Sequence, residues 1–146
     1  MAKRKSRRKS RERALQALYQ MVMAEGSAAT VAAEFADHQD MDDVDMDFFE
    51  ALLTGVSGNR SALDDVFSPA LDRAITELDP IEHCILRLGT FELCHRIDVP
   101  ARVVINEGVE LAKTFGASES HRYINSILDK LAREHRSVEM DSARAR

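Results

Sequence analysis

Residues 78–93, LDPIEHCILRLGTFEL, carry the pattern that decides the fold class. Asp79 stands where a helix N-cap belongs, Pro80 follows at the first helical position, and Glu82 falls at the third. An acid there complements the exposed N–H groups and the helix dipole. The helix they announce is apolar on two sides, with Ile81, Ile85 and Leu88 on one and Leu86 and Leu93 on another. A helix flanked by apolar partners on more than one side is a central, buried helix, and it needs other helices around it.

The neighbouring segments supply them. Pro100 restarts the chain, and Ala101, Val104, Ile105, Gly108, Val109, Leu111, Ala112 and Phe115 share one face at 100° per residue. Gly116 stands where a C′ glycine belongs. Ser118 is placed to cap a last helix with inner face Ile124, Ile127, Leu128 and Leu131, and the tail beyond Arg136 is polar. Upstream, Ser68-Pro69 repeats the cap-and-proline signal before Leu71, Ile75 and Leu78, which predict a short helix. Phe49, Leu52, Leu53, Val56, Leu63 and Phe67 keep helical spacing, but Gly55 and Gly58 leave open one long helix or two. QDMDDVDMD at 39–47 reads as a loop, and an Ala-rich helical segment precedes it around Thr30 to Ala36. Ala14, Leu15, Leu18, Met21 and Val22 line one side of the first helix, with Gly26 as its stop. No segment reads as a strand. The expectation is an all-α domain of six or seven helices.

At 146 residues and 45% hydrophobic content the chain is long enough for a real core. No apolar run reaches the roughly 18 residues of a membrane span. The basic start is not followed by an apolar segment and cleavage site, so a cytoplasmic protein is expected. Cys84 and Cys94 fall in one helical segment, about 15 Å apart along its axis, too far for a disulfide or a shared metal. Charge is unevenly spread. The first thirteen residues, MAKRKSRRKSRER, carry +7, whereas the whole chain is at −5, leaving the remainder at −12.

Enzyme signatures are thin: there is no Gly-rich phosphate loop, no nucleophile elbow and no zinc-type Cys/His pairing. Glu92-Leu93-Cys94-His95 is a Glu-x-x-His unit, but di-metal helical bundles need two such units and two further Glu residues. A partly buried Glu held by hydrogen bonds is the favoured reading, with no metal and no cofactor. The basic arm is the stronger signal. If the first helix starts early, Arg8 and Arg11 continue the line of Leu15, Leu18 and Val22, with Tyr19 at its edge. Guanidinium groups beside an aromatic suit phosphate binding with base stacking, and an acidic body makes such a contact local and oriented. Glu119 and Tyr123, four apart on the last helix, form a quieter pair that could stack and hydrogen-bond a base.

RRKSRERALQALY at 7–19, LDPIEHCILRLGTFEL at 78–93 and VPARVVINEGVELAKTFGASESHRYINSILDKLA at 99–132 together resemble the NusB family of transcription antitermination factors. The resemblance spans roughly residues 7 to 135, in order. It implies a compact all-α fold of two small subbundles. It also implies binding of boxA-type single-stranded RNA from ribosomal RNA leaders, partnership with the ribosomal protein NusE of the small subunit, and work within the RNA polymerase antitermination complex. On the resemblance, Arg7, Arg8, Lys9 and Arg11 would lie along RNA phosphates. Tyr19 and Glu82 would serve the RNA and NusE surfaces, and Tyr123 would face RNA. Glu119 departs from the Asp often found there, and no role transfers to Lys3-Arg4-Lys5. Residues 1–6 are expected to form a flexible basic tail, 7–136 the RNA-binding domain and 137–146 a polar tail. A homodimer stays open, because the apolar face that meets a partner could also meet a second copy. Two rival readings are a helical protein-interaction module and the NusB-like domain that precedes some RNA cytosine methyltransferases. The latter requires a cofactor-binding domain for which 146 residues leave no room.

Overall fold

The computed structural model describes residues 5–24, 26–38 and 40–144; Met1 to Arg4, including Lys3 and Arg4 of the expected basic tail, lie outside the described residues. The chain is all-α and divides into two compact units, one running through Asn59 and the other from Arg60. Among the described residues the one β-type pairing is an isolated parallel bridge between Ser6 and Val44.

The first unit holds α1 (Arg7–Met23), α2 (Ala28–His38) and α3 (Met46–Ser57). Helix α1 does start early, because Ser6 caps it: the Ser6 hydroxyl accepts from the Lys9 N–H at 3.1 Å. Ser6 therefore belongs to the fold rather than to a tail. Ala14, Leu15, Ala17, Leu18 and Met21 of α1 are buried, as are Val31 and Phe35 of α2 and Phe48, Phe49, Leu52, Leu53 and Val56 of α3. Val22, assigned to the apolar stripe, is instead exposed, and α1 ends at Met23 with Ala24 as its C-cap, short of Gly26. Asp45 caps α3 by accepting from Phe48 N–H.

The second unit begins with α4 (Arg60–Phe67), so the 49–67 stretch is two helices broken at Gly58-Asn59. Ser68–Ala70 and Ile75–Glu77 follow as 3-10 turns where a short α-helix was expected. Ser68 does not cap a helix there; its hydroxyl donates back to the Asp64 carbonyl at 2.5 Å. Leu71 and Ala74 have extended backbones, with ψ of 150° and 145°, and these interrupt any continuous helix.

Then come α5 (Pro80–His95), α6 (Ala101–Phe115), α7 (Ser120–His135) and α8 (Ser137–Arg144). Asp79 caps α5 as its sequence announces, accepting from Glu82 N–H at 2.8 Å. Helix α5 packs against α4, α6 and α7 and is buried on several sides. The three long helices meet over one side chain. A Cβ added at Gly89 of α5 or Gly108 of α6 would come within 2.6 or 2.5 Å of Leu128 of α7, which is fully buried. Two glycines thus make the groove into which Leu128 fits.

Gly116 ends α6 with an extended backbone rather than a left-handed one. What it supplies is room, since a Cβ there would lie 2.7 Å from the Ala112 carbonyl. The residue before α7 is Glu119, not Ser118. The segment read as a polar tail forms α8: Met140 is buried, and Glu139 accepts from the backbone N–H of Ala101 at the start of α6.

Candidate nucleic-acid interface

Two groups of the residues singled out above are assembled by the fold, one in each unit. In the first unit the organiser is Ser10, fully buried on α1. Its hydroxyl accepts from the Asp45 N–H at 2.9 Å and lies within hydrogen-bond reach of the Ser6 and Asp45 carbonyls. Ser6 N–H donates to the Asp43 carbonyl. These bonds stitch the first turn of α1 to the acidic 40–47 segment, so the basic arm and the acidic stretch are neighbours.

The cations of the arm are then used individually. Arg7 and Arg11, four apart and so on one helical face, both lie over the Phe48 ring, at 4.4 and 4.9 Å from its centroid. Arg7 remains exposed, with Asp45 at 4.0 Å. Arg11 is 3% exposed, which places its guanidinium inside the packing of the unit and not along a surface. Lys9 Nζ reaches Asp40 at 3.2 Å, while Arg13 donates to the Asp40 carbonyl and to Gln16. The Asp42 N–H and the Lys9 ammonium together hold the Asp40 carboxyl below its ordinary pKa. Arg8 is exposed on the first turn, and Tyr19 is half-buried three turns further on.

In the second unit, the N-terminal ends of α5 and α7 bring Glu82, Glu119 and Tyr123 together. Glu82 is 9% exposed, and its carboxylate accepts from the Ser120 hydroxyl at 2.9 Å. Sequence spacing gave no sign of this link across 38 positions. Glu119 has φ of 70°, a left-handed backbone that an Asp adopts more readily than a Glu. That preference is a physical reason for the Asp that the resemblance expects at this position. The Glu119 side chain extends into solvent and pairs with Arg122 at 2.7 Å.

Tyr123 is partly covered. The Arg73 guanidinium lies 4.1 Å from its ring centroid, and Arg73 Nε donates to Asp72 at 2.9 Å. The Tyr123 hydroxyl is shut from solvent and makes no hydrogen bond of good geometry, although the Asp72 carboxylate is close enough to act on it. Burial, with Asp72 beside it, pushes the phenol above its ordinary pKa. Arg73 is the residue that sequence reasoning missed, since fifty positions separate it from Tyr123 and no motif links them.

Arg87 makes a two-pronged contact with Asp64 at 2.8 and 2.9 Å, and His83 meets the same carboxylate at 2.9 Å. Burial works to raise the Asp64 pKa, but hydrogen bonds from Arg87 and His83 outweigh it and hold the carboxyl below its ordinary range. Cys84 is buried and its thiol is pushed up to about 11 by desolvation; Cys94 is half-buried, and both cysteines are free. Glu92 is 2% exposed whereas His95 is exposed, so the two ends of the Glu-x-x-His unit occupy different surroundings. Among the described residues no cluster of three or more His, Cys, Asp or Glu side chains is arranged to hold a metal ion. No helix among them is long and apolar enough to cross a membrane.

The model of the NusB family matches residues 8–133. The transcription antitermination protein NusB of Hahella chejuensis is 49% identical over 140 residues, covering 96% of this chain and 94% of that protein. The protein of the same name from Alcanivorax borkumensis is 50% identical over 141 residues, covering 97% and 94%. Among solved structures, NusB of T. maritima superposes with a TM-score of 0.80 at 29% identity, covering 91% of this chain and 94% of that one.

Proposed function

This chain belongs to the NusB family, and on that premise we propose that it is a non-enzymatic transcription antitermination factor. It binds boxA-type single-stranded RNA of ribosomal RNA leaders together with the ribosomal protein NusE, and works in the cytoplasm within the RNA polymerase antitermination complex. The observation that carries the RNA reading is the first turn of α1. Arg7 is exposed although its guanidinium is already seated on Phe48, and Arg8 is exposed beside it. A cation whose rotamer is set before binding loses less entropy when it meets a phosphate.

The burial of Arg11 divides the labour within the arm. Arg7, Arg8 and Lys9 supply phosphate contacts, while Arg11 supports Phe48 from inside and keeps the turn in shape. Tyr19 contributes to the RNA and NusE surfaces. Glu82 acts on the NusE side chiefly by holding the ends of α5 and α7 together through Ser120. Glu119 and Tyr123 orient the RNA at the second group.

Titrating labelled boxA-like and scrambled RNA at two salt concentrations, with and without NusE, tests the proposal. Preference for boxA, strengthened by NusE and weakened by salt, is the expected result. Equal binding of both RNAs even with NusE present would sink it. Deleting residues 1–9 separates it from the interaction-module reading, which requires the RNA affinity to stay unchanged.

A further inference from the structure

We infer that Arg73 is a phosphate-binding residue of this chain and that Tyr123 acts mainly by positioning it. The inference rests on the RNA-binding reading above and deepens it at the second group. Arg73 lies in the connection between the two 3-10 turns, where Asp72, Arg73 and Ala74 are all exposed and the backbone is irregular. Its side chain is nevertheless fixed at two points. The guanidinium lies 4.1 Å from the Tyr123 ring centroid, and Nε donates to Asp72 at 2.9 Å.

Those two contacts leave the terminal amino groups of the guanidinium without a hydrogen bond among the described residues. With the side chain still 38% exposed, this is a planar fork presented to solvent with its plane and one edge already set. Two parallel N–H groups match two phosphate oxygens, and a fork ordered in advance loses little freedom on binding.

The arrangement also changes the reading of Tyr123. One face of its ring is occupied by Arg73, and its hydroxyl is shut from solvent. Neither is available to a base while the stack persists. The ring instead gives Arg73 a platform, as Phe48 does for Arg7 in the other unit. Local charge fits a directed contact rather than a general attraction. Asp72 partly offsets Arg73, Glu119 pairs with Arg122, and Glu82 is engaged by Ser120.

The test uses the full chain with labelled boxA-like RNA across a salt series, after thermal melts establish that each variant folds. Arg73→Ala should weaken binding roughly five- to tenfold and reduce the salt slope by about 0.7, the amount for one phosphate on a single strand. Arg73→Lys should recover the slope but only part of the affinity, because an ammonium has no planar fork. Tyr123→Leu should resemble Arg73→Ala, and the double variant should lose little more. Unchanged or tighter binding by Arg73→Ala overturns the inference, as does weaker binding with an unaltered salt slope. If Arg8→Ala weakens boxA binding while Arg73→Ala does not, the inference falls alone. If the wild type shows no boxA preference, the RNA reading falls and takes the inference with it.

Discussion

Arg11, near the start of the chain, and Arg136, near its end, are both almost sealed from water, at 3% and 6% exposure, but the two ends use their cations differently. Arg136 donates to the carbonyls of Glu92, Leu93, Arg96 and Val99 and to the Glu139 carboxylate. Its positive charge thus sits at the C-terminal end of α5, where orphan carbonyls and the helix dipole favour a cation. Arg11 lies over an aromatic ring, beneath a turn whose other cations stay near solvent. A cation whose donors are committed to backbone acceptors has little left to offer a ligand. Arg7 and Arg8, by contrast, stay exposed on the first turn, where a phosphate can approach them. On the proposed function, the C-terminal end is architecture and the N-terminal end is the RNA-binding edge, with Arg11 as its support.

The largest effect is expected at Arg136. Replacing it with Met leaves the Leu93 and Val99 carbonyls without their side-chain donor and takes a second donor from those of Glu92 and Arg96, and the second unit should lose about 3 kcal/mol, a fall in Tm of roughly 15 °C. A thermal melt that moves by only a degree or two would show that solvent or neighbouring groups satisfy those carbonyls equally well.

Next comes Asp64, which is architectural in the same sense. Asp64→Asn should cost about 2 kcal/mol near pH 7 by weakening its bonds to Arg87 and His83. The sign with pH follows from the depressed carboxyl. Its stabilising effect is complete above the unfolded-state value of about 4 and is lost as pH falls through the lower folded-state pKa. Urea melts from pH 7 to pH 3 should show the gap between wild type and variant closing at the acid end. A constant gap would count against charge pairing as its source.

The smallest stability effects sharpen the contrast within the arm. Arg11→Ala should cost about 1 kcal/mol, the scale of a partly desolvated cation–π contact with its packing, whereas exposed Arg8→Ala should stay within about 0.5 kcal/mol. In RNA titrations the order reverses: Arg8→Ala should reduce the salt slope, and Arg11→Ala should leave it close to that of the wild type. Equal slopes for the two variants would remove the distinction between support and binding edge.

The elements that the sequence displays clearly are those with local punctuation. Asp79-Pro80-Ile81-Glu82 announces α5 because a cap, a proline and an acid act on N–H groups within one turn. The Leu71, Ile75 and Leu78 spacing suggests a helix just as well, yet only Ile75 lies in a 3-10 turn, and Leu71 and Leu78 are the extended residues that end the two turns. So short a segment cannot recover the cost of nucleating an α-helix unless packing favours it. At the ends of the chain, composition pointed to tails, but Ser6 caps α1 and Met140 is buried. A single side chain with a tertiary partner outweighs several polar neighbours. Of the candidate site, the positions of Arg7, Arg8 and Tyr19 on one early helix were legible, whereas the covering of Tyr123 by Arg73 was not.

By itself, then, the sequence determined the all-α class, the central helix and the basic start of α1, because periodicity and capping act between residues a few positions apart. Only the tertiary structure decided which cations are committed and which are presented. Arg11 meets Phe48, Arg73 meets Tyr123, and Arg136 meets the carbonyls ending α5. Those partners lie 37, 50 and 43 positions away, in that order. Burial and charge pairing depend on distance in space, which chain folding sets and local spacing does not encode.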